Sequence, residues 1–387
     1  MGFTAHPLYI LAVLCFIIVA GEWLATKKYF HHIGTSLIVI LLTAIVANVQ
    51  LLPSSGSVTP VYDGIFTYVA PIAIFFLMLD VKLASLKYAG LPMLLLFLLG
   101  AAGTMAGVVA GYYFLSPGNS TGSFTAALAG MYTGTYTGGS INFNAVALHY
   151  NLSKQGNLYA AATAVDNIMS AVWIIVTLTV PRLLQRRFKR KFIHQLTGTG
   201  GLQQQPVPEN HLDTEQVNPK GMAVLLGIGC LSIFLADALQ QVFPKVPAVL
   251  TLTTIALALA QFRRVQRLKG SKVLGLFSVY LFLAVIGAYC DIQALLNDGR
   301  LALLLLAWVV TILLVHGLIL FGAGAVFKQD WDMIAIASQA NIGGATTAIA
   351  NARSLDRMDL YLPAILVGSL GSAIGTYLGF LVAFMFG

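Results

Sequence analysis

Ten apolar segments, each close to the roughly 20 residues that an α-helix needs to cross a lipid bilayer, recur along this chain. They are residues 6–22, 33–52, 62–80, 91–115, 158–182, 221–241, 247–262, 273–290, 301–327 and 360–386. Of the 387 residues, 58% are hydrophobic and 9% are charged, whereas a soluble domain has about 25% charged residues. A water-soluble fold of this length could not bury so much apolar surface, so the sequence predicts an all-α integral membrane protein.

Two further segments, 124–148 and 331–351, differ from the ten because their centres are polar and rich in glycine. The first reads Thr-Gly-Thr-Tyr-Thr-Gly-Gly-Ser at 133–140, and the second reads Ser-Gln-Ala-Asn-Ile-Gly-Gly-Ala-Thr-Thr at 338–347. A continuous helix that faces lipid could not carry such a centre. Each segment is therefore predicted to form two half-helices that meet at an unwound turn, as a broken or re-entrant helical hairpin.

The two halves of the chain resemble one another. Residues 165–167 follow the first polar segment as residues 367–369 follow the second, and the two triplets align. We therefore predict a first repeat at 1–182, a polar cytoplasmic linker at 183–220 and a second repeat at 221–387. Five spans and one hairpin in each half would make the second repeat enter the membrane inverted, which is typical of secondary transporters.

The basic residues indicate how the chain is oriented in the membrane. If both polar segments turn back, only Lys154, Lys245 and Arg300 of the 22 Lys and Arg residues lie outside. Because positive residues concentrate on the cytoplasmic side, we expect two opposed hairpins, both chain termini outside, and a bacterial inner (plasma) membrane location. The net charge of +8 comes from these cytoplasmic loops, so no nucleic-acid partner is expected.

The turns of the two hairpins supply the candidate substrate-binding residues. An arm of about 10–12 residues reaches the midplane of a hydrocarbon core ~30 Å thick, so two opposed tips can meet there. The second arm of each hairpin begins at its tip, and a helix N-terminus presents unpaired N–H groups that suit a carboxylate. The candidates are Thr137, Gly138, Gly139, Ser140, Asn142, Asn144, Asn341, Gly343, Gly344, Thr346 and Thr347. The alternative is that these small polar residues only permit tight helix packing.

Asp166 is the sharpest single candidate, because it lies well inside the span 158–182. An ionisable group at such a depth is costly and is a functional candidate by default. Asp166, neighbouring Asn167 and Ser369 of the second half form the candidate coupling-ion site, which would take Na⁺ or a proton. The alternative is a protonated or capped aspartate that satisfies a neighbouring helix. No other metal and no cofactor is expected.

Other polar residues in the spans are weaker candidates. His316 lies mid-span and is expected to be packed and hydrogen-bonded, and Asp237 is expected to reach the outer interface. An intramembrane hydrolase that uses Ser140, Ser369 or Ser372 with His316 is a remote alternative. No spacing in the sequence specifies such a site, so the chain is not expected to be an enzyme.

The absence of Lys and Arg from both polar segments and from 360–386 bears on the substrate. An anionic solute bound there would have to be balanced by helix N-termini and a co-bound cation. This favours a secondary transporter that couples a small anionic organic solute to Na⁺ or H⁺ by alternating access. The closest alternative is a cation–proton antiporter that uses Asp166.

Three strings, at 136–146, 340–348 and 366–376, resemble the YjcL-like family of bacterial membrane proteins, whose function is not assigned. The resemblance covers essentially the whole chain. That family looks related to the superfamily of cation–proton antiporters and organic-anion symporters, including citrate and glutamate carriers. The resemblance implies a core domain that moves against a scaffold, commonly in a homodimer.

The same resemblance implies roles for three motifs. Gly138-Gly139 and Gly343-Gly344 look like the Gly-Gly turns of carboxylate carriers in that superfamily. The pair at 166–167 looks like the acidic or Asn-Asp pair that antiporters carry at this place, in the reversed order.

Overall fold

The computed structural model describes residues 6–27, 35–54, 59–81, 83–188, 218–290 and 299–387, and the regular structure within them is helical. The principal helices are α1 (Pro7–Ala25), α2 (Thr35–Asn48), α3 (Pro60–Met78), α4 (Leu91–Leu115), α5 (Thr125–Gly138), α6 (Ser140–His149), α7 (Gly156–Arg187), α8 (Pro219–Val242), α9 (Ala248–Ala260), α10 (Ser271–Ala288), α11 (Gly299–Val326), α12 (Trp331–Ile342), α13 (Gly344–Ser354) and α14 (Tyr361–Phe386). Most of the predicted linker 183–220 lies outside the described residues.

Eight of these helices are long and apolar enough to cross a membrane: α1, α3, α4, α7, α8, α10, α11 and α14. Two shorter apolar helices, α2 and α9, have 14 and 13 residues. All ten coincide with the ten apolar segments of the sequence, which confirms the prediction of an all-α membrane protein. At ~1.5 Å per residue, α2 and α9 extend only about 20 Å, so they are shorter than a hydrocarbon core of about 30 Å.

Prolines and a polar cap fix where several helices begin. Pro7, Pro60 and Pro219 occupy the first turn of α1, α3 and α8, where their missing N–H would have no acceptor in any case. The side chain of Asn218 accepts a hydrogen bond of 2.7 Å from the backbone N–H of Gly221 and caps α8. These local signals place the helix ends independently of tertiary packing.

Helices α5 and α6 form a helical hairpin, hairpin 1, whose arms lie side by side. A Cβ added at Gly134 of α5 would lie 3.0 Å from the Cβ of Asn142 on α6, and one added at Gly130 would lie 3.0 Å from Cγ1 of Val146. In one straight helix, Gly130 and Val146 would be about 24 Å apart. The chain therefore reverses direction between the two arms.

Helices α12 and α13 form hairpin 2 in the same way. The hydroxyl of Thr177 on α7 lies 3.1 Å from Oε1 of Gln339 on α12 and accepts a hydrogen bond of 2.7 Å from Nδ2 of Asn351 on α13. Two residues on different arms can share one partner only if the arms lie side by side.

The base of hairpin 2 is closed by a buried ion cluster. Arg357, which follows α13, pairs with Asp330 immediately before α12 and with Asp359, and Asp332 lies 3.5 Å away. Burial lowers the pKa of Arg357, but the hydrogen bond to Asp359 and the charge of Asp330 outweigh it and raise the pKa overall. Asp330 also caps α12 by accepting the N–H of Asp332 at 2.9 Å.

The helices pack as two groups. The hairpin group comprises α4–α7 and α11–α14, and the flanking group comprises α1–α3 and α8–α10. Contacts are extensive inside each group, notably between α4 and α11, between α5 and α14, and between α10 and both α2 and α3. Between the groups, aromatic side chains meet, as where the rings of Tyr159 on α7 and Phe282 on α10 lie 6.4 Å apart.

Packing within the hairpin group is reciprocal. The helix that follows hairpin 1, α7, packs on α12 of hairpin 2, whereas the helix that follows hairpin 2, α14, packs on α5 of hairpin 1. Each hairpin is thus held by the helix that follows the other, and this brings the two tips together.

Candidate ligand and ion site

The tips of the two hairpins touch. A Cβ added at Gly344, the first residue of α13, would lie 3.7 Å from the backbone oxygen of Gly138, the last residue of α5. Gly344 has φ +74°, and Gly139 has φ +93° with ψ 179°, a conformation essentially restricted to glycine. The paired glycines therefore allow both the reversal of the chain and the close approach of the two turns.

Two helix N-termini begin at this meeting point, those of α6 and α13. Neither has a side-chain cap, so no side-chain oxygen satisfies the backbone N–H groups that open these two helices. Ser140 and Thr346, in the first turns of α6 and α13, are exposed. The tips can therefore be reached from outside the protein interior, and together they offer backbone donors to an anion.

The deeper predicted tip residues are used to hold the hairpins. Asn142 accepts a hydrogen bond of 2.7 Å from Thr376 and lies 3.5 Å from the backbone oxygen of Gly371, both on α14. Asn144 accepts from the phenol of Tyr159. Asn341 donates to the backbone oxygen of Phe97 on α4 at 3.1 Å. These asparagines anchor the arms.

The other predicted residues divide between exposed and buried positions. Thr347 bonds to backbone oxygens of its own hairpin, at 3.2 Å to Gly344 and 3.4 Å to Gln339. The hydroxyl of Thr137 is fully buried and has no hydrogen-bond partner among the described residues. The same is true of Nε2 of Gln339, which lies beside Gly343. A buried donor without an acceptor is rare and marks a place where a ligand or water belongs.

Asp166 lies beside hairpin 1. Its side chain is buried, with 7% exposure, and both carboxylate oxygens face the hydroxyl of Thr135, at 3.5 and 3.4 Å. No Lys or Arg within the described ranges forms an ion pair with Asp166. A buried carboxylate that lacks a cationic partner is unfavourable by several kcal/mol unless it is protonated or binds a cation.

Other buried oxygen atoms lie near this carboxylate. The hydroxyls of Tyr132 and Tyr136 are fully buried, have no hydrogen-bond partner in the described part of the chain, and are close enough to interact electrostatically with Asp166. The hydroxyl of Thr163, one turn before Asp166, is likewise buried and unpartnered. Such a set of oxygen ligands suits a hard cation.

The two companions predicted for Asp166 are placed differently. Asn167 donates to the backbone oxygen of Thr163 on its own helix at 3.0 Å, and its side chain is partly exposed. Ser369 is partly exposed and makes no side-chain hydrogen bond within the described ranges. Neither is brought to the carboxylate by a direct contact. No group of three or more His, Cys, Asp and Glu side chains that could hold a metal occurs among the described residues.

His316 of α11 joins the two hairpins through hydrogen bonds. Its Nδ1 lies 2.9 Å from the backbone oxygen of Gly100 and 3.1 Å from the hydroxyl of Thr104, and its Nε2 lies 2.9 Å from the hydroxyl of Ser338 on α12. Because a carbonyl can only accept, Nδ1 carries the proton and Nε2 accepts from Ser338. Thr104 in turn donates to the backbone oxygen of Tyr136 near the tip of hairpin 1, at 2.9 Å. The expectation that His316 is packed and hydrogen-bonded is confirmed.

The seryl partner of His316 is thus Ser338, which the sequence did not single out. Ser338 and His316 are both fully buried, and Nε1 of Trp173 donates to the same hydroxyl at 2.9 Å. Ser372 bonds instead to the backbone oxygens of Gly138 and Gly368. One sequence signal could have indicated this arrangement: Asp166, Trp173 and Thr177 recur at spacings that place them on one face of α7.

Ten apolar helices, with two hairpins packed inside one of two helix groups, define this chain as a multi-pass α-helical membrane protein. The chain belongs to the family described as "Protein of unknown function (DUF819)", whose sequence model matches residues 9–387. It is 26% identical over 367 residues to the "Uncharacterized membrane protein YjcL" of Bacillus subtilis (strain 168), which covers 91% of this chain and 89% of that protein. The resemblance to a YjcL-like membrane family is therefore confirmed.

Proposed function

We propose that this protein is a secondary active transporter that moves a small anionic organic solute across the bacterial inner membrane by alternating access, coupled to Na⁺ or H⁺. The observation that carries the proposal is the meeting of two uncapped helix N-termini at the hairpin tips, in the same group of helices as the buried carboxylate of Asp166, which has no Lys or Arg partner among the described residues. Donors for an anion and ligands for a cation lie in one group of helices.

The coupling ion binds at Asp166 in this proposal. The carboxylate supplies the charge, Thr135 lies 3.4 Å away, and the unpartnered hydroxyls of Tyr132 and Tyr136 supply neutral oxygen ligands. Binding of Na⁺ or a proton removes the cost of a buried negative charge. The ion therefore stabilises the arrangement of α7 against hairpin 1.

The solute binds at the tips. Its carboxylate would accept from the first N–H groups of α6 and α13, and the exposed side chains of Ser140 and Thr346 would contact it. Because no Lys or Arg occurs in residues 124–148, in residues 331–351 or in α14, the cation at Asp166 balances the anion. This relation makes solute binding depend on the ion.

The two helix groups provide the moving parts. The hairpin group carries the whole candidate site, and the hydrogen bonds of His316 connect its helices. It can therefore move as one body against the flanking group. Pseudosymmetric repeats and a site formed by broken helices are typical of alternating-access carriers. The reciprocal packing of α7 and α14 supports the predicted relation between two inverted repeats, and a homodimer stays a prediction from the family resemblance.

Contacts between helix ends support the predicted orientation. Phe188 and Trp331, both predicted at the cytoplasmic side, are joined by a hydrogen bond of 3.1 Å from Nε1 of Trp331 to the backbone oxygen of Phe188. Asn48 and Cys290, both predicted at the outer side, are joined by one of 2.8 Å. Each pair would be separated by the membrane thickness if the order of spans were wrong.

A cation–proton antiporter is the second candidate. It is favoured by the same buried carboxylate, because Asp166 with its neighbouring phenols could exchange a proton for a cation without any organic solute. The fully buried Ser338–His316 pair offers no nucleophile to a substrate, so it gives no support to a hydrolase.

Thermal unfolding of the purified protein distinguishes these candidates. The midpoint would be measured with a panel of small carboxylates and amino acids, in sodium and in choline buffers. A ligand that binds only the folded state stabilises it by about 2.7 kcal/mol at ~100 times its dissociation constant. A solute-specific rise that requires sodium or low pH supports the symporter, whereas rises with cations or pH alone support the antiporter.

A further inference from the structure

A cavity of about 270 Å³ lies between hairpin 1 and the flanking group, away from the hairpin tips. The end of α6 forms one wall, and α3, α8 and α9 form the others. This volume is far above the ~10–15 Å³ that one water needs and slightly below the roughly 300–1,000 Å³ of drug-sized ligand sites. The cavity therefore suits a small ligand.

Three hydrogen-bond acceptors line this cavity: Asp237 and Gln240 on α8 and His149 at the end of α6. None of the three side chains makes a hydrogen bond or an ion pair within the described part of the chain. The ring of His149 packs edge-on against Tyr150 and Phe380, with centroids 4.9 and 5.0 Å apart, which fixes the ring and leaves its nitrogen atoms without a partner.

The rest of the lining is apolar and includes Phe66, Pro71, Leu148 and Val249. Asp237 is itself exposed, so its carboxylate can meet the positive head of an incoming ligand while the apolar lining contacts a hydrocarbon body. Lys154 and Lys245 lie in nearby loops, but neither forms an ion pair with Asp237. The carboxylate of Asp237 is thus without a Lys or Arg partner among the described residues.

We infer that this cavity binds a small primary ammonium ligand through Asp237, Gln240 and His149. An –NH₃⁺ group has three donors, which match a carboxylate, an amide oxygen and an unprotonated imidazole nitrogen. The short alkyl or aryl body of the ligand packs against Phe66 and Val249. Neither the binding nor its chemistry depends on the solute or ion of the proposed transport.

A ligand in this cavity would contact both groups of helices. His149 belongs to hairpin 1, whereas Asp237 and Gln240 belong to the flanking group, so a bound ammonium bridges the two groups of helices. A bridging ligand binds the present arrangement better than one in which the groups have moved apart, and it therefore holds this arrangement. In a protein whose groups move, it acts as an inhibitor.

The test uses n-hexylammonium as the probe, with 1-hexanol and hexanoate as matched compounds of equal chain length, on the full-length protein in a non-ionic detergent. We expect a saturable rise of the unfolding midpoint with hexylammonium and none with hexanol or hexanoate. Asp237→Asn should weaken the apparent affinity by roughly tenfold or more, because a charge-assisted hydrogen bond is lost.

Two further variants make the test specific. Gln240→Leu should weaken binding while it leaves the charge in place, and Glu22→Gln, which removes an exposed acid near the end of α1, should leave binding unchanged. Equal rises with hexanol, or unchanged hexylammonium affinity in both Asp237→Asn and Gln240→Leu, would overturn the inference.

Discussion

The hydroxyl of Thr135 on hairpin 1 lies 3.4 Å from the carboxylate of Asp166 on the following span α7. The contact joins the broken helix to a buried carboxylate that has no Lys or Arg partner among the described residues. A cation at this point would draw both elements together, and its loss would leave a buried charge between them. In the proposed mechanism, this contact would couple ion binding to the position of hairpin 1.

The first prediction concerns that carboxylate. Asp166→Asn should abolish the dependence of the unfolding midpoint on sodium or pH, because the amide carries no charge for a cation to neutralise. The fold should be retained, since Asn keeps the shape and can still accept from Thr135. The control is Asp80→Asn, at an exposed acid just beyond α3, which should behave as wild type. Ion dependence that persists in Asp166→Asn would remove this residue from the proposed mechanism.

The second prediction separates backbone strain from blockage at a hairpin tip. A Cβ at Gly139 meets nothing within 4 Å, but φ +93° is unfavourable for any other residue. Both Gly139→Ala and Gly139→Phe should therefore cost the same strain, about 1–3 kcal/mol of stability. Only the phenylalanine fills the space before the helix N-termini, so only Gly139→Phe should abolish solute binding, measured by thermal shift. Equal solute binding by both variants would place the solute elsewhere.

The third prediction concerns the hydrogen bonds that join the hairpins. His316→Phe should destabilise the protein by roughly 2–4 kcal/mol, because it leaves the buried hydroxyls of Thr104 and Ser338 without this partner. Ser338→Ala should reduce stability by less. The losses of the two single variants should not add in the double variant, since both remove the same His316–Ser338 hydrogen bond. Ser123→Ala, at an exposed position just before α5, should change stability by less than about 0.5 kcal/mol. Additive losses in the double variant would mean that the pair is not coupled.

The fourth prediction concerns the ion cluster at the base of hairpin 2. Arg357→Ala should destabilise the protein by about 3–5 kcal/mol, because it leaves the buried carboxylate of Asp330 unpaired. Arg264→Ala, at an exposed position in the turn after α9, should have little effect on the unfolding midpoint. A small loss for Arg357→Ala would show that the hairpin does not need this clamp.

The fifth prediction concerns orientation. In a background in which Cys15, Cys230 and Cys290 are replaced, Asn151→Cys and Ser354→Cys place single thiols at exposed positions, just after hairpin 1 and at the last residue of hairpin 2. Membrane-impermeant reagents should label the first from outside and the second from the cytoplasm. Labelling of both from one side would contradict the model of two opposed hairpins.

Much of the fold could be predicted from the sequence, because lipid allows few backbone solutions. Ten apolar segments had to be helices, and the glycine pairs at 138–139 and 343–344 had to interrupt the other two. The partners of individual side chains could not be predicted in the same way. Thr135 meets Asp166, and Ser338 meets His316, only because distant helices pack side by side. The spacing along α7 indicates which face of that helix carries polar groups, but no local pattern specifies the partner on another helix.

The candidate site, like the fold, could be predicted only in part. The tips were predicted from their glycines and small polar residues, and the structure brings them into contact. The asparagines at 142, 144 and 341 look like ligand-binding residues in the sequence, yet their amides bond to α14, α7 and α4. A polar side chain inside a membrane protein satisfies whichever neighbour the tertiary fold supplies, so residue type alone does not separate a ligand contact from an anchor.

Flux through proteoliposomes tests the central proposal most directly. Purified protein would be reconstituted with a solute found in the thermal screen, and uptake of the labelled solute would be followed with and without an inward sodium or proton gradient. The proposal predicts concentrative uptake that requires the gradient and is lost in Asp166→Asn. Ion flux of equal size with no solute present, or solute uptake that only equilibrates and ignores every gradient, would contradict a coupled solute transporter.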